Sequence, residues 1–314
     1  MKPNLMSNRQ AYGEALVELG KMDTRLVVLD ADLSSSTKTA MFAKVFPERF
    51  FNVGIAEANM MGIAAGLATT GRVVFVSSFA MFATGRVYDQ IRQSIAYPNL
   101  NVKIVATHAG ITVGGDGASH QINEDLSLMR VIPQMTILSP ADYYETKRAV
   151  YQAHNYQGPV YIRLGRAETP VIFDENYDFR FGVAQVLEDG DDVAIMAIGP
   201  MVGRALEAAK ILRKQKINPM VINMSTIKPI DKSTILKAAK KCGAIVSAEE
   251  HSIIGGLGTA ISEVLSANYP VPQQFVGIPD VFGESGESEE LMDGYGLKIE
   301  TIVENAKKAV SRKK

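Results

Sequence analysis

A carboxylate and a pair of aromatic rings stand out as residues that could hold a flat, polar ligand. Glu57 lies in the segment VGIAEANMMGIAAGLA, whose glycines and alanines allow close packing around the carboxylate. A buried carboxylate is a candidate functional group, although a glutamate at a helix N-terminus also interacts favourably with the helix dipole. Phe79 and Phe82, three residues apart, could line one side of a flat pocket or pack in the core.

The segment 107–126, THAGITVGGDGASHQINEDL, is the second candidate for chemistry. It has four glycines, His108, Asp116 and His120 where a short strand-to-helix connection would suffice. Long glycine-rich connections cost ordering entropy and are usually functional. A single histidine is more often structural, but two in one glycine-rich loop favour function, and His120 could transfer a proton near neutral pH.

Apolar runs of strand length precede these residues and must position them. The runs lie at 25–30, 50–55, 72–78, 101–108, 135–140 and 159–165. Segments of helix length separate them, which predicts an α/β doubly wound parallel sheet. Ligands of such sheets bind beyond the carboxyl ends of the strands. Asp32, Glu57, Phe79, His108 and Ser139 all follow or end such runs, so we expect a site at that edge.

A second α/β series follows an irregular segment. Residues 166–182 show no clear period and contain proline and acidic residues, which is typical of a linker. Strand-like runs then recur at 192–199, 219–224, 243–250 and 274–279. The sequence therefore predicts two doubly wound α/β domains, residues 1–180 and a smaller domain of residues 181–314.

Composition excludes several classes of function. A formal net charge of −1 gives no general attraction for nucleic acid, and no apolar run approaches the roughly 20 residues needed to span a bilayer. The single Cys242 excludes an intrachain disulfide and reads as a packed thiol. Residues 1–16 have no apolar core followed by a cleavage site, so we expect a cytoplasmic protein without a membrane or nucleic-acid partner.

The order of these motifs resembles a known family. The runs ADLSSS, FFNVGIAEANMMGIAAGLA, SFAMF, THAGITVGGDGASHQ and RVIPQMTILSPAD resemble the pyrimidine-binding domain of transketolases. They are also similar to 1-deoxyxylulose-5-phosphate synthase. The runs MSTIKPID and AEEHSIIGGLGTAISEVL resemble the transketolase C-terminal domain. The resemblance covers essentially the whole chain and implies a thiamine-diphosphate-dependent transferase of aldehyde or ketone residues, which moves a two-carbon ketol unit between sugars or sugar phosphates.

The resemblance also implies roles for individual residues. Glu57 matches the glutamate that hydrogen-bonds N1′ of the cofactor's aminopyrimidine, a bond that helps to activate the cofactor. Phe82 matches the ring stacked on the pyrimidine, and Phe79 is its neighbour. The remaining matches are substrate contacts at His108, Asp116 and His120, an aspartate near the cofactor at Asp32, and a phosphate-holding serine at Ser36.

Two features depart from the family's pattern. Ser139-Pro140-Ala141-Asp142 stands where transketolases usually read RPAD, and a serine gives one neutral bond where an arginine gives a bidentate, charge-assisted one. Binding of a phosphorylated acceptor through Ser139 is therefore weakened. Thiamine-diphosphate enzymes hold Mg²⁺ through a GDG motif and a downstream asparagine. The only GDG of this chain, at 115–117, belongs instead to the sugar-binding segment, so no metal ligand is assigned to this chain.

The second of these departures implies a partner. The resemblance implies that a separate N-terminal transketolase subunit holds the diphosphate and most of the Mg²⁺ coordination, and that this chain is active only with it. Since each site would form across a chain boundary, we expect self-association and a heterotetramer with two copies of each chain. The alternatives are a 1-deoxyxylulose-5-phosphate-synthase-like subunit, an oxo-acid dehydrogenase E1 beta-like subunit, and a non-catalytic assembly protein that retains the fold.

Overall fold

Strands and helices alternate through residues 4–313, the part of the chain that this computed structural model describes. The strands are β1 (Leu5–Met6), β2 (Leu26–Asp30), β3 (Phe50–Asn52), β4 (Val73–Phe79), β5 (Val102–Thr107), β6 (Thr136–Leu138), β7 (Val160–Arg163), β8 (Thr169–Pro170), β9 (Gln185–Glu188), β10 (Val193–Ala197), β11 (Pro219–Asn223), β12 (Thr226–Lys228), β13 (Ile245–Ser252) and β14 (Gln273–Ile278). The α/β class that the sequence predicts is confirmed.

Helices connect the strands on both sides of the sheets. The α-helices are α1 (Asn8–Met22), α2 (Ser34–Thr37), α3 (Ala40–Val45), α4 (Glu57–Thr69), α5 (Ala80–Ala83), α6 (Tyr88–Gln90), α7 (Asp125–Arg130), α8 (Tyr143–Asn155), α9 (Met201–Lys214), α10 (Lys232–Cys242), α11 (Leu257–Asn268), α12 (Ser288–Gly294) and α13 (Ile299–Ser311). Short 3-10 helices cover Pro47–Arg49, Gly85–Val87 and Ile111–Asp116, and a π-helix covers Ile91–Ala96. No helix within residues 4–313 is long and apolar enough to cross a membrane.

The first sheet has seven strands in the order β12-β6-β7-β5-β4-β2-β3. All its pairings are parallel except that of β12 with β6. Strands β2, β4, β5 and β7 are buried along their whole length, which explains why they read as continuous apolar runs rather than alternating ones. Each large aliphatic side chain buried in this way contributes about 1.5–3 kcal/mol of hydrophobic stabilisation.

The second sheet has five strands in the order β14-β13-β10-β11-β9, with β9 antiparallel at one edge. One apolar cluster contains buried side chains of both predicted parts of the chain, the first segment (residues 1–180) and the second segment (residues 181–314). Among them are Met129 and Ile132 from the first segment and Ile227 and Ile261 from the second. Strand β12 belongs to the second segment but pairs with β6 of the first sheet, with Thr226 opposite Leu138. The two segments thus share a core and a sheet. The domain boundary at residue 180 stays a prediction.

The helical stretch between β4 and β5 is interrupted. Thr84, with φ −130° and ψ −74°, separates α5 from a 3-10 turn at Gly85–Val87, and α6 then passes into the π-helix Ile91–Ala96. π-Helical turns are rare and often lie near functional sites. The predicted linker, 166–182, contributes β8, which pairs with β1 near the N-terminus.

Candidate active site

The candidate residues follow the carboxyl ends of three parallel strands of the first sheet. Glu57 begins α4 after β3, Phe79 is the last residue of β4, and His108 directly follows β5. In the sheet β5 pairs with β4, and β2 lies between β4 and β3. This is the edge at which parallel α/β sheets bind ligands, and the expected placement of these residues follows from the strand order.

Phe79, Phe82 and the two histidines form one aromatic cluster. The ring of His108 stacks on Phe79 with centroids 3.7 Å apart and planes at 22°. Phe79 and Phe82 are nearly parallel at 6.1 Å, and His120 meets Phe82 edge-on at 5.3 Å. Residues from two segments, 79–82 and 108–120, are thereby brought together.

His108 is held in a strained and buried position. Its φ of 58° lies in the left-handed region, which non-glycine residues seldom adopt and which is often found at functional sites. The side chain is 3% exposed, and Nδ1 lies 2.9 Å from Oγ1 of Thr107. Burial lowers the pKa of His108 to about 3, and the charges of Arg9, Arg166 and His120 add to that effect. His108 is therefore neutral at physiological pH, with ring nitrogens suited to hydrogen bonding rather than to carrying charge.

Glu57 is buried, and its charge is paired. The carboxylate is 3% exposed and accepts hydrogen bonds from Nη1 of Arg86 at 3.1 and 3.0 Å. The guanidinium carbon of Arg86 lies 4.4 Å from the centre of the Phe82 ring, a cation–π contact. Arg86 is not among the residues predicted from the sequence. No local sequence signal marks Arg86, because its contact with Glu57 joins turns 29 residues apart.

Two more predicted residues, Asp32 and Ser36, follow the carboxyl end of β2. Asp32, exposed and with φ 64°, accepts a hydrogen bond from Nδ2 of Asn52 at 3.0 Å. The carbonyl of Ser36 accepts one from Nη1 of Arg9 at 2.8 Å, and Nη2 of Arg9 donates to the carbonyl of Arg166 at 3.0 Å. Arg9 and Arg166 were not predicted, and they place two cations near His108.

The glycine-rich loop that carries Asp116 and His120 is fixed by the C-terminal segment. The backbone N–H of Thr112 donates to Oε1 of Glu250 at 2.8 Å. Ser285 Oγ donates to the carbonyl of Gly115 at 2.7 Å, and Ser288 Oγ donates to the carbonyl of Thr112 at 2.9 Å. Asp116 itself is exposed. The second segment therefore shapes a loop that belongs to the first.

Glycines in this contact are required by space. A Cβ on Gly110, whose φ is 79°, would lie 2.3 Å from Oε1 of Glu250. A Cβ on Gly283 would lie 1.9 Å from Oε1 of Gln121, a side chain whose Nε2 donates to the carbonyl of Glu284 at 2.8 Å. A larger residue at Gly110 or Gly283 would therefore displace the side chain of Glu250 or Gln121.

Ser139, predicted to contact substrate, lies between the two segments. It is 1% exposed, its N–H donates to the carbonyl of Ser225 at 2.7 Å, and its carbonyl accepts from Gly199. A cavity of about 10 Å³ adjoins it, lined also by Arg163 and Thr112. These contacts are with the C-terminal segment rather than with the aromatic cluster.

The turn before α11 is occupied by the protein itself. Glu249 accepts hydrogen bonds from the N–H groups of Leu257 and Gly258 at 2.7 and 2.8 Å. The carboxyl group of Glu249 therefore caps two of the free N–H groups at this helix N-terminus. Within residues 4–313, no group of three or more histidine, cysteine, aspartate or glutamate side chains could hold a metal ion.

Comparisons with known proteins identify the family of this chain. Residues 4–171 match the transketolase pyrimidine-binding domain, and residues 182–302 match the transketolase C-terminal domain. The transketolase C-terminal section of Methanocaldococcus jannaschii is 54% identical over 94% of this chain and 93% of its own length. The 6-deoxy-6-sulfo-D-fructose transketolase subunit of a Clostridium species is 45% identical over 97% of this chain and 95% of its own.

A solved structure gives the same result at the level of the fold. A split-gene transketolase, described as an inactive β4 tetramer, superposes with a TM-score of 0.93 at 53% identity, covering 98% of this chain and 100% of that one. The predicted resemblance is confirmed by both domains and by these relatives. The chain belongs to the transketolase family, and it is a transketolase-type subunit made of the family's pyrimidine-binding and C-terminal domains.

Proposed function

We propose that this chain is the C-terminal subunit of a thiamine-diphosphate-dependent transketolase that moves a two-carbon ketol unit between sugars. The observation that carries the proposal is the contact cluster of Glu57, Phe82, Phe79, His108 and His120 at one sheet edge. When bound, the cofactor would supply the nucleophilic carbon that takes up the ketol fragment.

The residues of the cluster fit the aminopyrimidine of that cofactor. The guanidinium of Arg86, itself flat and rich in N–H donors, reaches the carboxylate of Glu57 while it lies on the ring of Phe82. A flat nitrogen heterocycle can make the same pair of contacts. Glu57 would hold a proton at the ring nitrogen N1′, and Phe82, backed by Phe79, would stack on the ring. Asp32 would lie near the rim of this pocket.

The histidines and Asp116 are suited to the substrate side of the reaction. His108, neutral and fixed against Phe79, would hydrogen-bond a sugar oxygen without adding charge. His120, half-buried beside Phe82, is our candidate for moving a proton at the substrate hydroxyl. Asp116, exposed in the loop, would accept a bond from a second hydroxyl.

We infer that the substrates carry an anionic group. Arg9 and Arg166 bring positive charge close to His108, and Arg9 also reaches the backbone of Ser36. A relative acts, by its name, on a sulfonated ketose. Phosphate or sulfonate would be recognised by the same guanidinium chemistry. Ser139, with 1% of its surface exposed, is less accessible to such a group than these arginines.

We further propose a partner subunit that supplies the diphosphate and Mg²⁺ site, in an assembly with two copies of each chain. Its support is that relatives of similar length are subunits or sections of transketolases, and that a solved relative on its own is described as inactive. The free, buried Cys242 is consistent with the reducing conditions of the cytoplasm, where we place the protein.

A face of α4 supports the assembly. Gly62, Ile63 and Gly66 are exposed on it, and an added Cβ at either glycine would meet nothing within 4 Å. Ile55, just before the helix, is 79% exposed. Glycines that no neighbour in the chain requires, beside exposed isoleucines, are what a tight helix contact with another chain would use.

The test combines binding and turnover. The purified chain and its N-terminal partner, mixed with thiamine diphosphate and Mg²⁺, should bind the cofactor and transfer ketol units. Glu57→Gln should lower turnover by more than the ~10²–10⁴ of ordinary acid–base help, because cofactor activation precedes every later step. Glu304→Gln, an exposed glutamate in α13, is the matched control. Wild-type turnover in Glu57→Gln would refute the proposed role of Glu57.

A further inference from the structure

Arg86 makes both of the contacts assigned above to the aminopyrimidine ring. Its Nη1 lies 3.0 and 3.1 Å from the two carboxylate oxygens of Glu57, and its guanidinium carbon lies 4.4 Å from the centre of Phe82. A side chain and a ligand ring cannot occupy the same face of one phenyl group and the same carboxylate. Arg86 and the cofactor are therefore competitors for this pocket.

The contacts of Arg86 allow it to move away from Glu57. Glu57 is 3% exposed, so its charge needs a partner whenever the cofactor is elsewhere. The side chain of Arg86 is 48% exposed. Arg86 also lies in the short 3-10 turn Gly85–Val87, next to the backbone break at Thr84 rather than inside a regular helix. It can thus leave Glu57 at little cost to the rest of the fold.

We infer that Arg86 is a positioning residue that closes the pyrimidine pocket by pairing with Glu57, and that thiamine diphosphate binds only by displacing it. The pairing satisfies the hydrogen-bonding capacity of the Glu57 carboxylate and fixes its orientation in the free subunit. It also lowers the apparent affinity for the cofactor, because only molecules with Arg86 displaced can bind. This inference rests on the proposed cofactor site.

The affinity change gives a sharp test. The apparent dissociation constant equals the intrinsic one divided by the fraction of open molecules, so a pair that is closed in about nine molecules out of ten weakens binding about tenfold. Arg86→Met keeps the length of the side chain but removes its charge and its N–H donors. Calorimetric titration of thiamine diphosphate into the assembled enzyme should give a dissociation constant about tenfold lower for Arg86→Met than for the wild type.

Two further variants control this measurement. Arg86→Lys retains a cation and should give a dissociation constant between those of the wild type and Arg86→Met. Arg92→Met, an exposed arginine of the following π-helix, should leave the affinity unchanged. An affinity of Arg86→Met that equals or falls below that of the wild type would overturn the inference. If the wild-type assembly binds no thiamine diphosphate, the proposed function itself fails.

A second measurement needs no cofactor and no partner. If Arg86 and Glu57 pair in solution, the melting-temperature shifts of Glu57→Gln and Arg86→Met in the isolated chain should not add in the double variant. The double variant should melt at a higher temperature than the sum of the two single shifts predicts. Additive shifts would show that the pair does not form in solution and would overturn the inference independently of any binding result.

Discussion

Replacement of Ser139 by arginine separates two views of that position. From the sequence, an arginine would restore the family's usual residue and improve binding of phosphorylated acceptors. In the structure Ser139 is 1% exposed and lies between the two segments. We therefore expect Ser139→Arg to destabilise the protein before it can affect substrate binding.

The magnitude follows from the surroundings of Ser139. The adjoining cavity of about 10 Å³ has room for a single water molecule. Forcing extra side-chain volume into a packed site costs about 1–3 kcal/mol. A buried cation without a partner costs about 3–5 kcal/mol more, and the existing cation there, Arg163, already pairs with Asp125. The sum, about 4–8 kcal/mol, is comparable to the whole stability of a typical domain, about 5–15 kcal/mol.

Urea denaturation followed by circular dichroism measures this loss. Ser139→Ala is the control, because it removes one hydroxyl and should cost no more than about 1 kcal/mol. Ser139→Arg should unfold at a much lower urea concentration or fail to accumulate as folded protein. A Ser139→Arg variant with the wild-type midpoint and a selectively lower KM for phosphorylated acceptors would refute this reasoning and support a substrate contact.

Three other perturbations test the loop, the assembly and a buried charge. Gly110→Ala should lower the free energy of unfolding by more than about 2 kcal/mol and lower turnover, because its Cβ would clash with Glu250. Gly71→Ala, which has a similar φ but open space around it, should lower the free energy of unfolding less in urea denaturation. Gly66→Leu should keep or raise the melting temperature by improving helix propensity, yet abolish self-association in light scattering. Burial lowers the pKa of Lys103 in the folded protein to about 7. Between pH 7 and about 10.5 the lysine is therefore protonated in the unfolded state but neutral in the folded state. The free energy of unfolding should rise with pH over this range, by up to about 4–5 kcal/mol. Lys103→Met should remove that rise in pH-dependent unfolding, and a rise as steep as in the wild type would contradict it.

The strand positions could be read from the sequence because burial on both faces leaves a local record. β2, β4 and β5 lie within one or two residues of the predicted apolar runs, and a segment of helix length, α4, separates β3 from β4 as predicted. Parallel strands also end at one edge, so the residues that follow them are expected to meet. Because of that topological rule, the sequence alone groups Glu57, Phe79 and His108.

The tertiary structure decided which side chains complete the site. Arg86 pairs with Glu57 across 29 residues, and the glycine-rich loop is held by Glu250, Ser285 and Ser288 from the other segment. Ser139 is buried by contacts with Ser225 and Gly199. Contacts between residues distant in sequence leave no period or spacing that a single chain reveals. The sequence by itself therefore determined the fold, the family and the carboxyl-end edge, because apolar periodicity and strand direction are local properties. Only packing decided the partner of Glu57, the support of the loop and the burial of Ser139, because each depends on how two separately wound segments meet.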